Sequence, residues 1–277
     1  MQQVSEHVYV ETGFEGCTVS FVVTDDGVVC IDTPQRPSEA LRWRAEAERH
    51  GPVRYVINTE HHKDHTTGNF FFPGTVIAHE KTREKFEQTI GTLEALRARV
   101  AQMWPDDLPL IEGYRYRPPS ITFSDEMTLY LGRHTFRLIR MVGHTENEAV
   151  VHLPGEGVIF TTDNLFNNCM PFLHECLPGE WIQTLGRLER LEGDVLVPGH
   201  GEVTTKAALR PLAAFIQEVM DEVGRAIDQG WSREETAERI TFIERFPIPW
   251  FLKERAPEVQ RMNVRRVYDQ LMAQRRT

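Results

Sequence analysis

Hydrophobic positions change their period several times along this chain. The first third carries short runs rich in Val, Ile and Cys: His7–Glu11, Thr18–Thr24 and Val28–Asp32, with Asp26-Gly27 between the last two. Such runs predict strands, and Asp-Gly predicts a hairpin turn. Pro37 and Ser38 open a predicted helix that reaches about Arg49 and stops at Gly51-Pro52. Val53–Asn58 reads as a buried strand and Thr75–His79 as another. From Glu80 to Trp104, Phe86, Ile90, Leu93, Leu96 and Val100 recur at three- and four-residue spacing, which predicts one long helix ended by Pro105 and Pro109. Trp104–Pro119 reads as a loop that either covers a site mouth or crosses the surface.

A second strand-rich block follows over Ile121–Phe123, Met127–Leu131, His134–Val142, Ala149–His152 and Val158–Thr162, with a turn at Gly132-Arg133. Glu180–Leu191 reads as a helix and Asp194–Val197 as a strand. After His200 the pattern is helical over Lys206–Asp228, Arg233–Phe246 and Pro257–Arg275, divided by Gly230 and by Pro247-Ile248-Pro249. Two strand-rich blocks, each with helices, predict an α/β sandwich of two sheets flanked by helices. The expected organisation is a domain over residues 1–204 and a C-terminal helical extension over 205–277. The extension either caps the domain, offers a homo-oligomer surface, or simply packs.

The length of 277 residues fits one large domain or a domain plus an extension. A net charge of -10 argues against a nucleic-acid partner. It leaves room for a small anionic substrate, because bound metal ions reverse the local field. No run of ~18 apolar residues predicts a membrane span. Met1–Glu6 is polar and lacks a signal-peptide core. Four cysteines, Cys17, Cys30, Cys169 and Cys176, show no CxxC pairing, as in a reduced cytoplasmic protein. Cys169 lies near the chemistry described next and reads as a buried structural thiol.

That chemistry sits in a few short segments. They are Thr59-Glu60-His61-His62-Lys63-Asp64-His65, Gly143-His144-Thr145, Thr162-Asp163-Asn164 and Pro198-Gly199-His200-Gly201, with Ile31-Asp32-Thr33 upstream. In extended backbone, residues two apart point the same way, so Glu60, His62 and Asp64 are expected to converge. His65, in a turn just beyond, reaches a second metal. His61 is expected to face away. Imidazole with carboxylate suits zinc, iron or manganese. Leu165, Phe166, Met170, Phe172 and Leu173 form an apolar run that either lines a substrate pocket or packs in the core. His174 within it is a candidate to touch substrate or donate a proton. His79 ends a strand and is a candidate to support the site; His7, His50, His134 and His152 read as background.

The ordered segments, from about Val8 to His200, resemble the metallo-β-lactamase superfamily, whose first motif is His-x-His-x-Asp-His. Glu60 stands where that motif has its first His. The resemblance implies a four-layer αββα sandwich with two divalent metal ions at one edge, zinc first, with iron or manganese as alternatives. It implies that Glu60, His62 and His144 surround one metal, that Asp64, His65 and His200 surround the other, and that Asp163 bridges them. Asp32 would orient the ligand loops from behind; a plain strand-end Asp is the alternative. Glu60 is either a carboxylate ligand or a solvated Glu beside a half-empty site.

The implied function is a metal-dependent hydrolase. A bridging hydroxide would attack an ester, lactone, thioester or amide of a small molecule, and Asp64 would also hold the nucleophile. Lack of a secretion signal argues against antibiotics as substrates, and length and acidity argue against RNA-processing members. Two other classes stand beside this one. A di-iron redox or oxygen-activating enzyme draws on ligand hardness, although flavodiiron proteins carry their Glu at the position of His62 and add a flavin domain that has no counterpart here. A non-catalytic binding protein on a degenerate site draws only on Glu60.

Overall fold

Alternate side chains of the central strands enter two different cores. In Gly27–Ile31, Val28 and Cys30 pack to one side and Val29 and Ile31 to the other, and all four are buried. Burial on both faces requires a layer of structure above and below each sheet. The computed structural model, which describes residues 1–89, 91–248 and 252–275, supplies these layers.

One sheet has seven strands in spatial order β1 (Gln2–Gln3), β2 (Val8–Glu11), β3 (Val19–Thr24), β4 (Gly27–Ile31), β5 (Val53–Ile57), β6 (Thr75–His79) and β7 (Ile121–Phe123). The other comprises β8 (Glu126–Leu131), β9 (His134–Arg140), β10 (Ala149–Leu153), β11 (Val158–Asn167) and β12 (Val195–Gly201), in the order β12-β11-β10-β9-β8. Between the sheets, Val10, Val29, Ile57 and Ile77 meet Leu138, Val151, Phe160 and Val197. Outside the first sheet, Trp43 of α1 (Pro37–Glu48) and Val100 of α4 (Leu93–Met103) cover Phe21, Cys30 and Val56. Outside the second, α5 (Pro178–Arg190) contributes Trp181 and Leu185, α6 (Leu209–Asp228) Ile216 and Val219, and α8 (Ala256–Gln274) Val264. These cover Ile139, Val150, Ile159 and Leu196. The result is the four-layer αββα sandwich.

The C-terminal helices are part of that last layer. α6 and α8 share one core with α5 and the second sheet. α7 (Arg233–Arg239) packs on α8.

Three expectations need correction. The long helix from Glu80 is two helices, α3 (Glu80–Thr89) and α4. Gly91 adopts a positive φ of 75°, and Thr92 caps α4 by accepting the Ala95 amide at 3.1 Å. Both are local stop-and-start signals that outweigh the apolar spacing. The helix from Arg233 ends at Arg239 rather than Phe246, because the Ile-Thr-Phe-Ile run is a weak helix former and Phe242 turns into the core. Trp104–Pro119 is no plain loop: Pro105–Ile111 is a 3-10 helix, and Trp104, Ile111 and Tyr114 are buried in the outer layer of the first sheet. Ile90 and Pro249 lie outside the described residues.

Strand direction places the site. β4, β5 and β6 are parallel to one another, and so are β11 and β12. The loops beyond the carboxyl ends of parallel strands are where α/β sheets bind ligands. No described helix is long and apolar enough to cross a membrane.

Trp181 joins the outer core to the site, with its Nε1 donating to the Asn164 carbonyl at 3.0 Å and its ring 5.8 Å from that of His144. Trp181→Ala is expected to cost about 3–5 kcal/mol in urea unfolding. A loss below about 1 kcal/mol would mean that this layer unfolds independently of the sheets.

Candidate metal centre

The loop after β5 builds half of the site. Asp32, just past β4, accepts the Thr59 amide at 2.9 Å and the Thr59 hydroxyl at 2.6 Å, and its Oδ2 lies 2.9 Å from His65 Nδ1. It does so from a left-handed backbone, φ 55°. Asp32 is thus a buried anchor for the ligand loop. With His65 Nδ1–H donating to Asp32, the Nε2 lone pair faces the site.

The alternation expected over residues 60–64 holds for two residues only. His62 is extended, but Lys63–Thr66 is a helical turn, α2, so Asp64 leaves the face shared by Glu60 and His62. Asp64 Oδ2 lies instead 3.4 Å from His200 Nε2 and 4.0 Å from His65 Nε2. Glu60 is fully buried, which removes the solvated alternative. Its Oε2 accepts the amides of His61 and His62 at 2.9 and 3.0 Å. Its Oε1 lies 2.6 Å from His62 Nδ1 and 3.4 Å from His65 Nε2.

His144 comes from the turn between β9 and β10. Its Nδ1 donates to the Phe172 carbonyl at 2.7 Å, leaving Nε2 at 3.4 Å from His62 Nδ1 and 3.5 Å from Asp163 Oδ2. Asp163 rides on β11 where the pairing with β12 slips, beside Thr162 at φ 53°. Its Oδ1 lies 3.3 Å from His65 Nε2, and its Oδ2 lies 3.4 Å from His200 Nε2. Asp163 therefore touches both groups of donors, Glu60–His62–His144 and Asp64–His65–His200. The motif glycines follow from crowding. A Cβ on Gly199 would strike Asp163, and one on Gly143 would strike the Asn164 side chain.

These residues fit a pair of cations. His65 Nε2 and Asp163 Oδ1 are buried without a hydrogen-bond partner, yet face each other. Most of the donor separations are 3.3–3.5 Å, longer than good hydrogen bonds. Ligands of one tetrahedral ion, with bonds of ~2.0–2.2 Å, stand roughly that far apart.

The electrostatics agree. Burial opposes ionisation of Asp163, but the imidazoles of His200 and His65 hold it well below the usual carboxylate range. Glu60 is held low in the same way, burial being outweighed by His62 and His65. Burial disfavours the charged form of His62, yet Glu60 draws its pKa well above the ordinary value. His65 is likewise raised well above it, burial being outweighed by Cys17, Asp163, Asp32 and Glu60. A pocket that draws protons onto imidazoles draws cations to the same nitrogens.

Several residues went unread in the pattern. Glu148, fully buried, accepts the Asp163 amide at 3.0 Å and the hydroxyl of Thr162, and Thr145 donates to its other oxygen at 3.3 Å. It locks the His144 turn to the Asp163 strand. Burial, then the charges of Glu60 and Asp163, push its carboxyl well above the usual range. Its only sequence signal is its place just after Gly143-His144-Thr145. His61, expected to face away, is buried at the site, with Nδ1 3.3 Å from Glu60 Oε2 and Nε2 3.6 Å from Glu175 Oε2. His79 is structural, bonded to the Ser124 carbonyl at 2.6 Å.

The donors open on a cavity of about 610 Å³. Phe166, Met170, Phe172 and His174 line it, whereas Leu165 and Leu173 enter the core, so the apolar run does both. Burial, followed by the charges of His144 and His62, lowers His174 to about 4. It is neutral at physiological pH and no imidazolium proton donor. Cys169 is also in the wall, its thiol pushed up to about 12 by burial and by Asp163. Arg99 and Met103 of α4 reach the cavity, but nothing from residues 104–119 is among its lining residues.

The family model of the metallo-beta-lactamase superfamily matches residues 12–200, and the chain belongs to that superfamily. A hydroxyacylglutathione hydrolase of Brucella ovis is 30% identical over 172 residues, 61% of this chain and 55% of that protein. The chain thus spans about half the length of the curated relatives it matches. Among solved structures, a metallo-beta-lactamase from Pontibacter korlensis superposes with a TM-score of 0.63 at 19% identity, over 78% of this chain and 97% of its own. One from Hirschia baltica gives 0.62 at 14% identity, over 78% and 96%. At such identities the likeness is one of fold.

Two predictions follow from the donor set. Glu60→His is expected to shift metal preference toward zinc over manganese and iron, since imidazole is the softer ligand. Metal-to-protein ratios under competition read the shift, and an unchanged preference would remove Glu60 from the ligands. The raised pKa values of His62 and His65 set the pH behaviour. In the metal-free chain their ion pairs stabilise fully below the unfolded histidine pKa, and that contribution is lost as pH rises through the folded values. Metal entry must expel those protons, so zinc affinity is expected to rise with pH over about pH 6–8 while apo stability falls. Calorimetry showing no proton release on zinc uptake would contradict this.

Proposed function

We propose that this chain is a metal-dependent hydrolase that cleaves a thioester of a small acid. The observation that carries the reading is the convergence of seven donors, Glu60, His62, Asp64, His65, His144, Asp163 and His200, at the floor of a largely apolar cavity. Glu60, His62 and His144 would hold one divalent ion and Asp64, His65 and His200 the other, with Asp163 shared. Bound there, the ions supply Lewis acidity for a carbonyl and lower the pKa of a water. Zinc suits the four imidazoles, and the three carboxylates leave iron and manganese open.

The remaining work falls to the chain. Asp64 is the most exposed of the seven donors, with a quarter of its side chain exposed. It would accept a hydrogen bond from the attacking water and aim it. Asp32 and the Phe172 carbonyl fix the imidazoles of His65 and His144, so that nothing reorganises as charge develops. Phe166, Phe172 and Met170 would hold the acyl part and exclude bulk water.

A thiolate leaving group suits this wall. A thiol of pKa ~8.5 departs without a general acid, and His174 is neutral. The relatives named for hydroxyacylglutathione hydrolysis point the same way. Lys63, Arg99 and Arg255 also line the cavity, and neither Lys63 nor Arg255 forms an ion pair with a described residue. They would receive an anionic group on the substrate.

The test is a panel of thioester, oxygen-ester, lactone, amide and β-lactam substrates with metal-loaded protein. The expected result is a kcat/KM for thioesters at least about 10²-fold above amides, lost with chelator and restored by zinc. Asp32→Asn is expected to cost about 10–100-fold in activity or metal affinity. Absence of hydrolysis across the panel by protein holding two ions would overturn the reading.

A further inference from the structure

The seven donors leave part of the site unexplained. His62 turns Nδ1 toward Glu60 and His144, and its Nε2 is buried with no hydrogen-bond partner. His61 stands beside it, ring centroids 4.4 Å apart and planes 33° apart, with 2% of its side chain exposed. Glu175, from the segment between β11 and α5, reaches over both. Its Oε1 lies 3.5 Å from His62 Nε2 and its Oε2 lies 3.6 Å from His61 Nε2.

Both separations exceed a good hydrogen bond. They are roughly the spacing of neighbouring ligands around a four-coordinate ion with bonds of ~2.0–2.2 Å. Two imidazoles and a carboxylate are also a donor set that zinc accepts. We infer that His61, the outer nitrogen of His62 and Glu175 form a third cation site, with His62 shared between it and the Glu60–His62–His144 group. This rests on the reading of those seven donors as the holders of two ions.

The departure at residue 60 fits the inference. A third divalent ion close to two others needs extra negative charge. Glu60 supplies one where the motif has a neutral imidazole, and its Oε2 is 3.3 Å from His61 Nδ1. Glu175 supplies another. A His62 ring bound at both nitrogens gives up both ring protons to solvent, and two adjacent cations favour that loss. His61, His62 and Glu175 all line the cavity. Coordination positions that the chain leaves free therefore open to water or to a carboxylate of the substrate.

The test counts metal. The full chain is stripped with chelator, dialysed against zinc with matched blanks, and its zinc-to-protein ratio is measured by elemental analysis. The same is done for Glu175→Gln and His61→Ala, with circular dichroism as the check on folding. The expected ratios are three for the natural sequence and two for each variant. Glu175→Gln keeps shape and a 37%-exposed side chain in place, so it serves if His61→Ala fails to fold. A ratio of three that neither variant lowers would place the extra ion elsewhere and overturn the inference. So would a ratio of two in the natural sequence, which leaves the hydrolase reading standing. A natural ratio below two would instead overturn the two-ion reading on which both rest.

Discussion

A carboxylate buried among three imidazoles dominates this molecule. Asp163 is almost wholly removed from water and lies within 3.5 Å of nitrogens on His65, His144 and His200. A charge so placed is costly unless countered. Each of those imidazoles arrives from a different element, so countering it forces the loop after β5, the turn after β9 and the end of β12 into one place. The irregular pairing of β11 with β12 and the glycine at 199 exist where that approach is closest. Glu148 then fastens the assembly from behind, through the Asp163 amide and Thr145.

Glu60 adds a buried negative charge to the site. A neutral imidazole in this position would leave Asp64 and Asp163 as the carboxylates of the donor cluster. Glu60 adds a third, and its second oxygen is tied to the amides of His61 and His62. The extra charge hardens the donor set and draws His61 inward. Glu60 thus links the seven-donor cluster to the cluster of His61, His62 and Glu175.

The cavity belongs to the interplay of several layers. Phe166 and Phe172 descend from β11 and the segment after it, Arg99 and Met103 come from α4, and Leu252 and Arg255 precede α8. α6 and α8 are welded into the outer layer through the core that includes Trp181. They support the segment that carries Phe172, and Asn263 of α8 accepts the Leu173 amide at 2.7 Å and donates to the Pro171 carbonyl at 2.9 Å. In a chain of net charge -10, Lys63, Arg99 and Arg255 place three cationic side chains in the cavity wall.

Periodicity was enough to mark nearly every strand, because two buried faces demand apolar residues in unbroken runs such as Val28–Ile31 and Val195–Val197. The segments bearing His62, His144, Asp163 and His200 were legible for a different reason: a metal-like donor set in fixed order is rare by chance. Local signals were overruled or missed where short-range geometry decides. Gly91 and Thr92 split one apolar period into two helices, and the turn at Lys63–Thr66 sent Asp64 to His200 instead of His62. His61 was read as facing away, and Glu148 and Glu175 were not read at all. Their roles come from partners 15 to 114 residues away, Asp163 for Glu148 and Glu175 for His61, and only the packed sandwich brings those side chains within reach of one another. The sequence by itself determined the layers and the donor types; the tertiary structure decided which charges face which, because a buried carboxylate takes its state from neighbours in space.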